Sequence, residues 1–196
     1  MREMLKLGFI LMAMSLLCAA ALGYVNGQTE DRIAAQREQA KAEAMLSISA
    51  TLGDSLSFDS LAVPGLANPY EETGRELAVV EVLSGGTRVG YVFTAYRKGY
   101  SSVVETMVAL DTAGTVAGST IIYQSETPGL GTRYASQDWL AQMAGLDGAA
   151  VALERDGGEI SAVTGATVTG RAVTGSVADG VAALGQAGLF GDGGAE

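Results

Sequence analysis

A threonine-rich turn near the C-terminus is the part of this chain with the clearest capacity for chemistry. Residues 163–171 have the sequence VTGATVTGR, and the apolar periodicity after them predicts a helix. Gly165 and Ala166 leave the hydroxyl of Thr167 unshielded and allow another backbone to approach closely. Because free N–H groups and the positive dipole end of a helix collect at its N-terminus, the pattern predicts a site for a phosphate-bearing group.

This turn does not by itself distinguish one threonine from its neighbours. Val-Thr-Gly occurs at 163–165, 168–170 and 173–175, a repeat of five residues that fits neither helix nor strand periodicity. Part of the segment is therefore consistent with low-complexity sequence. On pattern alone Thr164, Thr167, Thr169 and Thr174 remain alternatives.

A second glycine-rich segment, SETPGLGT at 125–132, directly follows a predicted strand. Gly129 and Gly131 allow backbone N–H groups to face a ligand, and Pro128 stiffens the turn. Each of the two glycine-rich segments joins a predicted strand to a predicted helix, so both can open on the same edge of a sheet. Such connections are also common in proteins without a ligand there, so a purely structural role stays open.

The composition excludes several classes of chemistry. The 196 residues include no histidine and a single cysteine, Cys18. This excludes histidine general bases, Ser-His-Asp triads, a disulfide framework and almost every transition-metal site within the chain. The net charge of −10 argues against nucleic acid as a partner. Redox or group-transfer chemistry would therefore need a borrowed cofactor.

The N-terminus predicts a membrane anchor. Residues 7–25 carry no charge over nineteen positions, and a spanning helix needs roughly 17–25. Arg2 and Lys6 precede this stretch and Glu30 follows it, so the positive-inside rule places the N-terminus in the cytoplasm and the domain on the extracytoplasmic side of the inner membrane. A cleaved signal peptide is the alternative, because residues 18–23 offer small side chains at cleavage-site spacing.

The whole chain is predicted to be an α+β protein, an antiparallel sheet with flanking helices on a single N-terminal transmembrane helix. The predicted parts are a cytoplasmic tip and transmembrane helix (1–27), a helical stalk and loop (28–74), the globular domain (75–190) and a flexible tail (191–196). The loop within the stalk region is predicted over 53–72, because it holds two of the three prolines.

Within the domain, short turns between successive apolar segments predict an antiparallel sheet. Strands are predicted at 77–83, 89–96, 103–110 and 116–123. Helices are predicted at 134–144 and 169–189, with a loop at 145–159 and a short strand at 160–163 between them.

The two glycine-rich segments together resemble the signatures of the FMN-binding domain family. TGATVT at 164–169 is similar to its S/T-G-A-T-x-T motif, in which the last threonine of the G-A-T run is esterified to the phosphate of FMN. ETPGLG at 126–131 is similar to its second signature, and the two occur in the expected order at roughly the expected spacing. The resemblance covers about 75–189 and implies covalent FMN at Thr167.

The resemblance also implies the surroundings of the cofactor. The implied cofactor-binding residues are Thr167, Thr164, Gly165, Ala166, Thr169, Glu126, Thr127, Gly129, Leu130 and Gly131. Leu130 would lie on a face of the flavin ring, with Thr127 or backbone groups at its edge, and the charge of Glu126 would disfavour the reduced anion. Arg171 would either pair with the phosphate or be a solvated helix residue. Family members often carry an aspartate six residues before the modified threonine, and here Ser161 occupies that position.

With one N-terminal span and an exported domain, the chain is most similar to the G-subunit family of Rnf ion-translocating ferredoxin–NAD oxidoreductases. The C-subunit family of sodium-pumping NADH–quinone reductases shares both signatures but is usually longer. Either resemblance implies an electron-relay subunit that works with other membrane subunits and is matured by a flavin transferase, without stand-alone catalytic residues or a metal. A non-redox, membrane-anchored binding or scaffold module is the alternative from another class.

Overall fold

The structure, a computed structural model, describes residues 2–66, 68–70 and 77–190. The chain forms two compact units, Met1–Ala42 and Glu43–Glu196. The predicted flexible tail at 191–196 and the predicted domain start at 75 lie outside the described residues.

A single long helix, α1 (Arg2–Ser49), takes up the N-terminal quarter of the chain. The predicted spanning segment and the predicted helical stalk are therefore parts of one continuous helix. Its apolar N-terminal stretch is long enough to cross a membrane, and none of its most apolar window is buried within the protein. The stalk residues are rich in Ala, Glu, Gln and Arg, which are strong helix formers, so the helix continues past the apolar part.

A five-stranded sheet forms the centre of the second unit, and the predicted antiparallel arrangement is confirmed. Its strands lie side by side in chain order, and each neighbouring pair is antiparallel. The strands are β1 (Leu56–Leu61), β2 (Val79–Ser84), β3 (Thr87–Lys98), β4 (Val103–Asp111) and β5 (Val116–Tyr123). Gly85 and Gly86, with φ of 58° and 83°, make the tight β2–β3 turn.

The first strand corrects a sequence prediction. Residues 56–61 pair with β2 along their whole length, although a loop was predicted throughout 53–72. The segment LSFDSL mixes three apolar with three polar residues, and none of the six is fully buried, so its apolar signal is weak. Its strand conformation comes from backbone hydrogen bonds to the edge of β2, which a local pattern does not report.

The sheet packs on both faces within this unit. On one face the last helix, α3 (Thr167–Gln186), covers the sheet, and Phe93 and Val108 join Val173, Val177 and Leu184 in the larger core. On the other face Ile48, at the end of α1, packs with Val82, Val92, Met107 and Ala109. The sheet thus lies between two helical segments, and the loops of the candidate site extend from the ends of its strands.

The helical predictions between the sheet and α3 needed correction. The predicted helix at 134–144 is broken into a 3-10 turn (Gly131–Ala135), the short helix α2 (Gln137–Leu140) and another 3-10 turn (Ala141–Met143). The break falls at Ser136, whose backbone is extended with ψ of 139°. No strand forms at 160–163 among the described residues, where Ile160 makes one bridge to Leu153. The predicted loop at 145–159 contains a 3-10 turn, Glu154–Asp156.

Candidate functional site

The two predicted glycine-rich segments lie against each other at the start of α3. Gly165 has a φ of 85°, and a methyl group on its Cα would be 3.5 Å from Cδ2 of Leu130. Leu130 and Val168 are nevertheless 43% and 53% exposed. The structure therefore brings the two motifs together and leaves apolar side chains on the surface beside them.

Thr167 is the first residue of α3, and it is partly exposed. The Oγ of Thr167 accepts a hydrogen bond of 2.9 Å from Nη1 of Arg155. Thr164 is exposed, whereas Thr169 and Thr174 are buried. Of the four threonines that the pattern left as alternatives, Thr167 is thus the partly exposed one that begins the helix and has a cation beside its hydroxyl.

The start of α3 has the donors that an anion needs. Ala166 occupies the N-cap position, no described side chain caps the helix, and its first turn contains no acidic residue. The first hydrogen bond into the helix runs from the N–H of Gly170 to the carbonyl of Ala166, at 3.1 Å. The N–H groups of 167–169 therefore have no acceptor within the helix. Together with the dipole and Arg155, they fit a phosphate on Thr167.

A buried carboxylate connects the loops around this position. Glu126 is 5% exposed and accepts hydrogen bonds from the backbone N–H groups of Ser101 (3.0 Å), Ser102 (2.9 Å) and Tyr100 (3.3 Å). It also accepts one of 2.7 Å from the hydroxyl of Thr169 on α3. One side chain thus joins the β3–β4 turn, the 126–131 loop and the first turn of the last helix.

This environment keeps Glu126 ionised at neutral pH. Burial opposes ionisation and raises the pKa of the carboxyl. The hydrogen bonds from Ser102, Thr169, Ser101 and Tyr100 outweigh burial, so the pKa of Glu126 lies below its ordinary value. Because the carboxylate oxygens of Glu126 accept from these donors, the side chain positions the loops that meet at the start of α3. The predicted effect of its charge on a reduced flavin anion stays a prediction.

The glycines of the 126–131 loop each have a structural part in the turn. Gly129 has a φ of 77°, but its N–H donates to Oγ of Thr132 at 3.0 Å. Gly131 is buried, and a methyl group there would be 2.6 Å from Cβ of Glu126. Gly129 therefore allows the turn, with its N–H bound to Thr132, and Gly131 allows close packing against Glu126. The carbonyl of Thr127 closes the same turn by accepting from the N–H of Leu130 at 3.2 Å.

Two aromatic side chains support the segment that leads into Thr167. The hydroxyl of Tyr134 accepts a hydrogen bond of 3.0 Å from the N–H of Val163. Nε1 of Trp139 donates to the carbonyl of Ser161 at 2.7 Å, and the Ser161 hydroxyl donates to Oε1 of Gln142 at 2.7 Å. Residues 161–163 are therefore fixed to α2 and its flanking turns, and Ser161 takes part in that attachment.

Gly170→Ala is expected to destabilise the domain and disturb the turn. A methyl group at Gly170 would be 2.5 Å from the hydroxyl oxygen of Tyr134, and that side chain is fully buried against Trp139 with ring centroids 4.5 Å apart. Overpacking costs about 1–3 kcal/mol, which exceeds the gain in helix propensity of up to about 1 kcal/mol. Urea unfolding of the variant and the parent protein measures the difference in free energy.

Gly175→Ala on the same helix is the matched control. Its methyl group would meet only the guanidinium of Arg97. That side chain is 42% exposed and pairs with the equally exposed Asp179, an ion pair worth at most about 1 kcal/mol, so it can move aside at little cost. We expect no loss of stability there, because the propensity gain remains without a rigid neighbour. Equal destabilisation by both substitutions would contradict the role of the Tyr134 contact.

The 3-10 turn Glu154–Asp156 was missed by sequence reasoning. It supplies Arg155 to Thr167, and its Asp156 binds Arg171 through two hydrogen bonds of 2.8 Å and 2.6 Å. The hydrogen bond from Arg171 holds the pKa of Asp156 below its ordinary value. Arg171 thus pairs with this carboxylate. A basic residue in a glycine-containing loop was the one available signal for Arg155, since twelve residues separate it from Thr167.

Comparison with known proteins defines first a class and then a family. Residues 99–182 match the model of the FMN-binding domain, and residues 1–48 match that of the RnfG N-terminal region. The fold is similar to that of the crystal structure of Shewanella oneidensis NqrC, with a TM-score of 0.55 and 19% identity over 74% of this chain and 91% of that one. The antiparallel domain is therefore an FMN-binding domain.

Two relatives identify the family within this class. The chain is 32% identical over 175 residues to the G subunit of the Na(+)-translocating ferredoxin:NAD(+) oxidoreductase complex of Acetobacterium woodii, covering 83% of each chain. It is 29% identical over 176 residues to the G subunit of the ion-translocating oxidoreductase complex of Shewanella baltica, covering 84% of this chain and 82% of the relative. The chain belongs to the G-subunit family of ion-translocating oxidoreductase complexes.

Proposed function

We propose that this protein is an electron-relay subunit of a membrane-bound, ion-translocating oxidoreductase complex, and that it carries FMN through a phosphoester to Thr167. Membership of the G-subunit family supports the complex. The observation that carries the attachment is the Thr167 hydroxyl, which lies at an uncapped helix start beside Arg155. The partners are the other membrane subunits of an Rnf-type ferredoxin–NAD oxidoreductase.

The surface beside Thr167 fits the rest of the cofactor. Leu130 and Val168 expose apolar surface next to the turn, and Tyr100 is 74% exposed on the β3–β4 turn that Glu126 holds. In this proposal Leu130 would lie on a face of the flavin ring, and Thr127 or backbone groups would lie at its edge. Bound FMN supplies the redox chemistry, while these residues supply position and electrostatics.

The attachment is a group transfer that needs a second protein. Oγ of Thr167 forms a bond to the FMN phosphorus of a flavin dinucleotide, and the bond from that phosphorus to the bridging oxygen breaks. AMP leaves with the electron pair, and the hydroxyl proton passes to a base of a flavin transferase. Because Nη1 of Arg155 donates to Oγ, Arg155 would not take the hydroxyl proton, which a base of the transferase would have to accept.

The proposal includes the placement of the chain in the membrane. Residues 1–27 form the cytoplasmic tip and the span in the inner membrane, and the helix continues from there as a stalk. The FMN-binding domain, whose sheet begins with β1 (Leu56–Leu61) and not at the predicted residue 75, lies on the extracytoplasmic side. The apolar part of α1 and the basic Arg2 and Lys6 before it support this orientation. A covalent link would keep the cofactor on a side of the membrane where free flavin is lost by diffusion.

Intact-mass spectrometry of the protein co-expressed with a flavin transferase tests the proposal. We expect a yellow protein, fluorescent after denaturing electrophoresis, with a mass increased by one FMN less one water. Purification from membranes in mild detergent should also recover the other subunits of an Rnf-type complex. A colourless protein of unmodified mass, with a transferase that modifies a known substrate in parallel, would instead favour a non-redox binding or scaffold module.

A further inference from the structure

We propose that Arg155 is the side chain that binds the phosphate at Thr167, first in the attachment reaction and then in the finished phosphodiester. This inference rests on the proposed FMN attachment and concerns how the site recognises the phosphate. Its basis is the hydrogen bond of 2.9 Å from Nη1 of Arg155 to Oγ of Thr167. A phosphorus bonded to Oγ carries its other oxygens one bond further out, within reach of the same guanidinium.

Arg155 has donors to spare for those oxygens. The bond to Thr167 is the one side-chain hydrogen bond of Arg155 among the described residues, and a guanidinium offers five N–H groups in a planar fork. That fork matches two oxygens of a phosphate at once, which a lysine ammonium does not do. The arginine can therefore keep its position while it exchanges the hydroxyl for phosphate oxygens.

The backbone that presents Arg155 is held in place. The N–H of Glu154 donates to the carbonyl of Ile160 at 2.8 Å, and the N–H of Ile160 donates to the carbonyl of Ala152 at 3.0 Å. Gly157 ends the 3-10 turn with a φ of 92°. Because the turn is closed on both sides of Arg155, positioning the guanidinium costs less conformational entropy than it would on an open loop.

The neighbouring Asp156 separates the roles of two arginines. The carboxylate of Asp156 accepts two hydrogen bonds from the guanidinium of Arg171, so it largely balances the charge of Arg171. No described carboxylate pairs with Arg155. The positive charge that faces Thr167 without an ion pair therefore comes from Arg155, although Arg171 lies on the same helix as the threonine.

The chemistry at Thr167 requires such a charge in two states. During the transfer, negative charge builds up on the non-bridging oxygens of the phosphorus, and a donor already in place stabilises it without reorganisation. Afterwards the phosphodiester keeps one negative charge permanently. Arg155 and the free N–H groups of 167–169 would share that charge.

The attachment rate is the first test, with Arg155→Gln, Arg155→Lys and a matched control. Lys41→Gln removes the same charge from an exposed pair on α1. With purified transferase and a flavin dinucleotide, intact-mass time courses should show attachment to Arg155→Gln slowed about 10-fold or more. Arg155→Lys should give an intermediate rate, and Lys41→Gln should match the parent protein.

Thermal melting of each protein before and after loading is the second test. Unloaded Arg155→Gln should melt close to the parent protein, because Arg155 is exposed. Loading should raise the Tm of the parent by about 2–4 °C more than that of Arg155→Gln, and this difference should shrink in high salt. The proposal requires both the slower attachment and the smaller rise in Tm.

Three results are distinguishable. If Arg155→Gln matches the parent protein in attachment rate or in its rise in Tm, Arg155 is an ordinary surface arginine and the inference is overturned. If Lys41→Gln is slowed as much as Arg155→Gln, the effect is one of net charge, which also overturns it. If the parent protein accepts no FMN, the proposed function itself fails.

Discussion

Thr167→Ala is expected to abolish the covalent flavin completely, the largest effect of any single substitution in this chain. The substitution removes the oxygen that would bond to phosphorus, and the half-exposed position at the helix start tolerates alanine well. Intact-mass spectrometry after co-expression with the transferase should show the unmodified chain, and the protein should be colourless after denaturation. Its unfolding free energy should stay close to that of the unloaded parent protein.

Two companion variants make this result specific. Thr167→Ser keeps a hydroxyl at the same place and should still accept FMN. Thr164→Ala removes an exposed hydroxyl from the same turn and should load as the parent protein does. If Thr167→Ala carries flavin and Thr164→Ala does not, the attachment point is Thr164, and the hydroxyl at the helix start is not the one that is modified.

Glu126→Gln is expected to cost about 2–4 kcal/mol of unfolding free energy at neutral pH. The carboxylate accepts from three backbone N–H groups and from the hydroxyl of Thr169, whereas a carboxamide replaces one acceptor oxygen with a donor. At least one buried donor would lose its partner, and the β3–β4 turn would separate from α3. Urea unfolding of the unloaded proteins gives the size of the loss.

The pH dependence of that loss identifies the charge as its source. The pKa of Glu126 is lowered in the folded protein, so its contribution is fully present above the unfolded pKa of about 4.3 and is lost as the pH falls through the folded pKa. The difference in stability between the parent protein and Glu126→Gln should therefore be constant near neutrality and shrink below about pH 4. The exposed Glu159→Gln serves as the control. A difference that does not change with pH would mean that shape, and not charge, is responsible.

Much of the sheet could be predicted because its signals are local. The strand prediction for 116–123 agrees with β5 at both ends, and the Gly85–Gly86 turn marks the β2–β3 hairpin. The start of α3 was placed two residues late, at Thr169, since a TGAT turn gives no capping side chain to mark the boundary. Local signals failed at 56–61 and at Ser136, where pairing with a neighbour and an extended backbone decide the structure.

The sequence predicted the two motifs of the candidate site but not the contacts around them, because those contacts are not local. The pairing of the ETPGLG and TGATVT segments came from resemblance, and the hydrogen bond from Thr169 to Glu126 agrees with it. No pattern in the nearby sequence predicts that Glu126 is buried or that Arg155 contacts Thr167. Both depend on segments that approach each other only in the folded domain.

The connections made by Glu126 have a consequence for how the protein matures. Its partners Ser102 and Thr169 lie 24 and 43 residues away along the chain, one before it and one after it. The attachment site at the start of α3 is therefore assembled only when the sheet, the loop and the last helix have all come together. On the proposed attachment, a transferase that recognises this assembled surface would modify only chains that have finished folding. The fraction of chains that carry flavin would then report the fraction that had folded. A variant with Thr167 intact but a weakened core would be purified with less flavin than the parent protein.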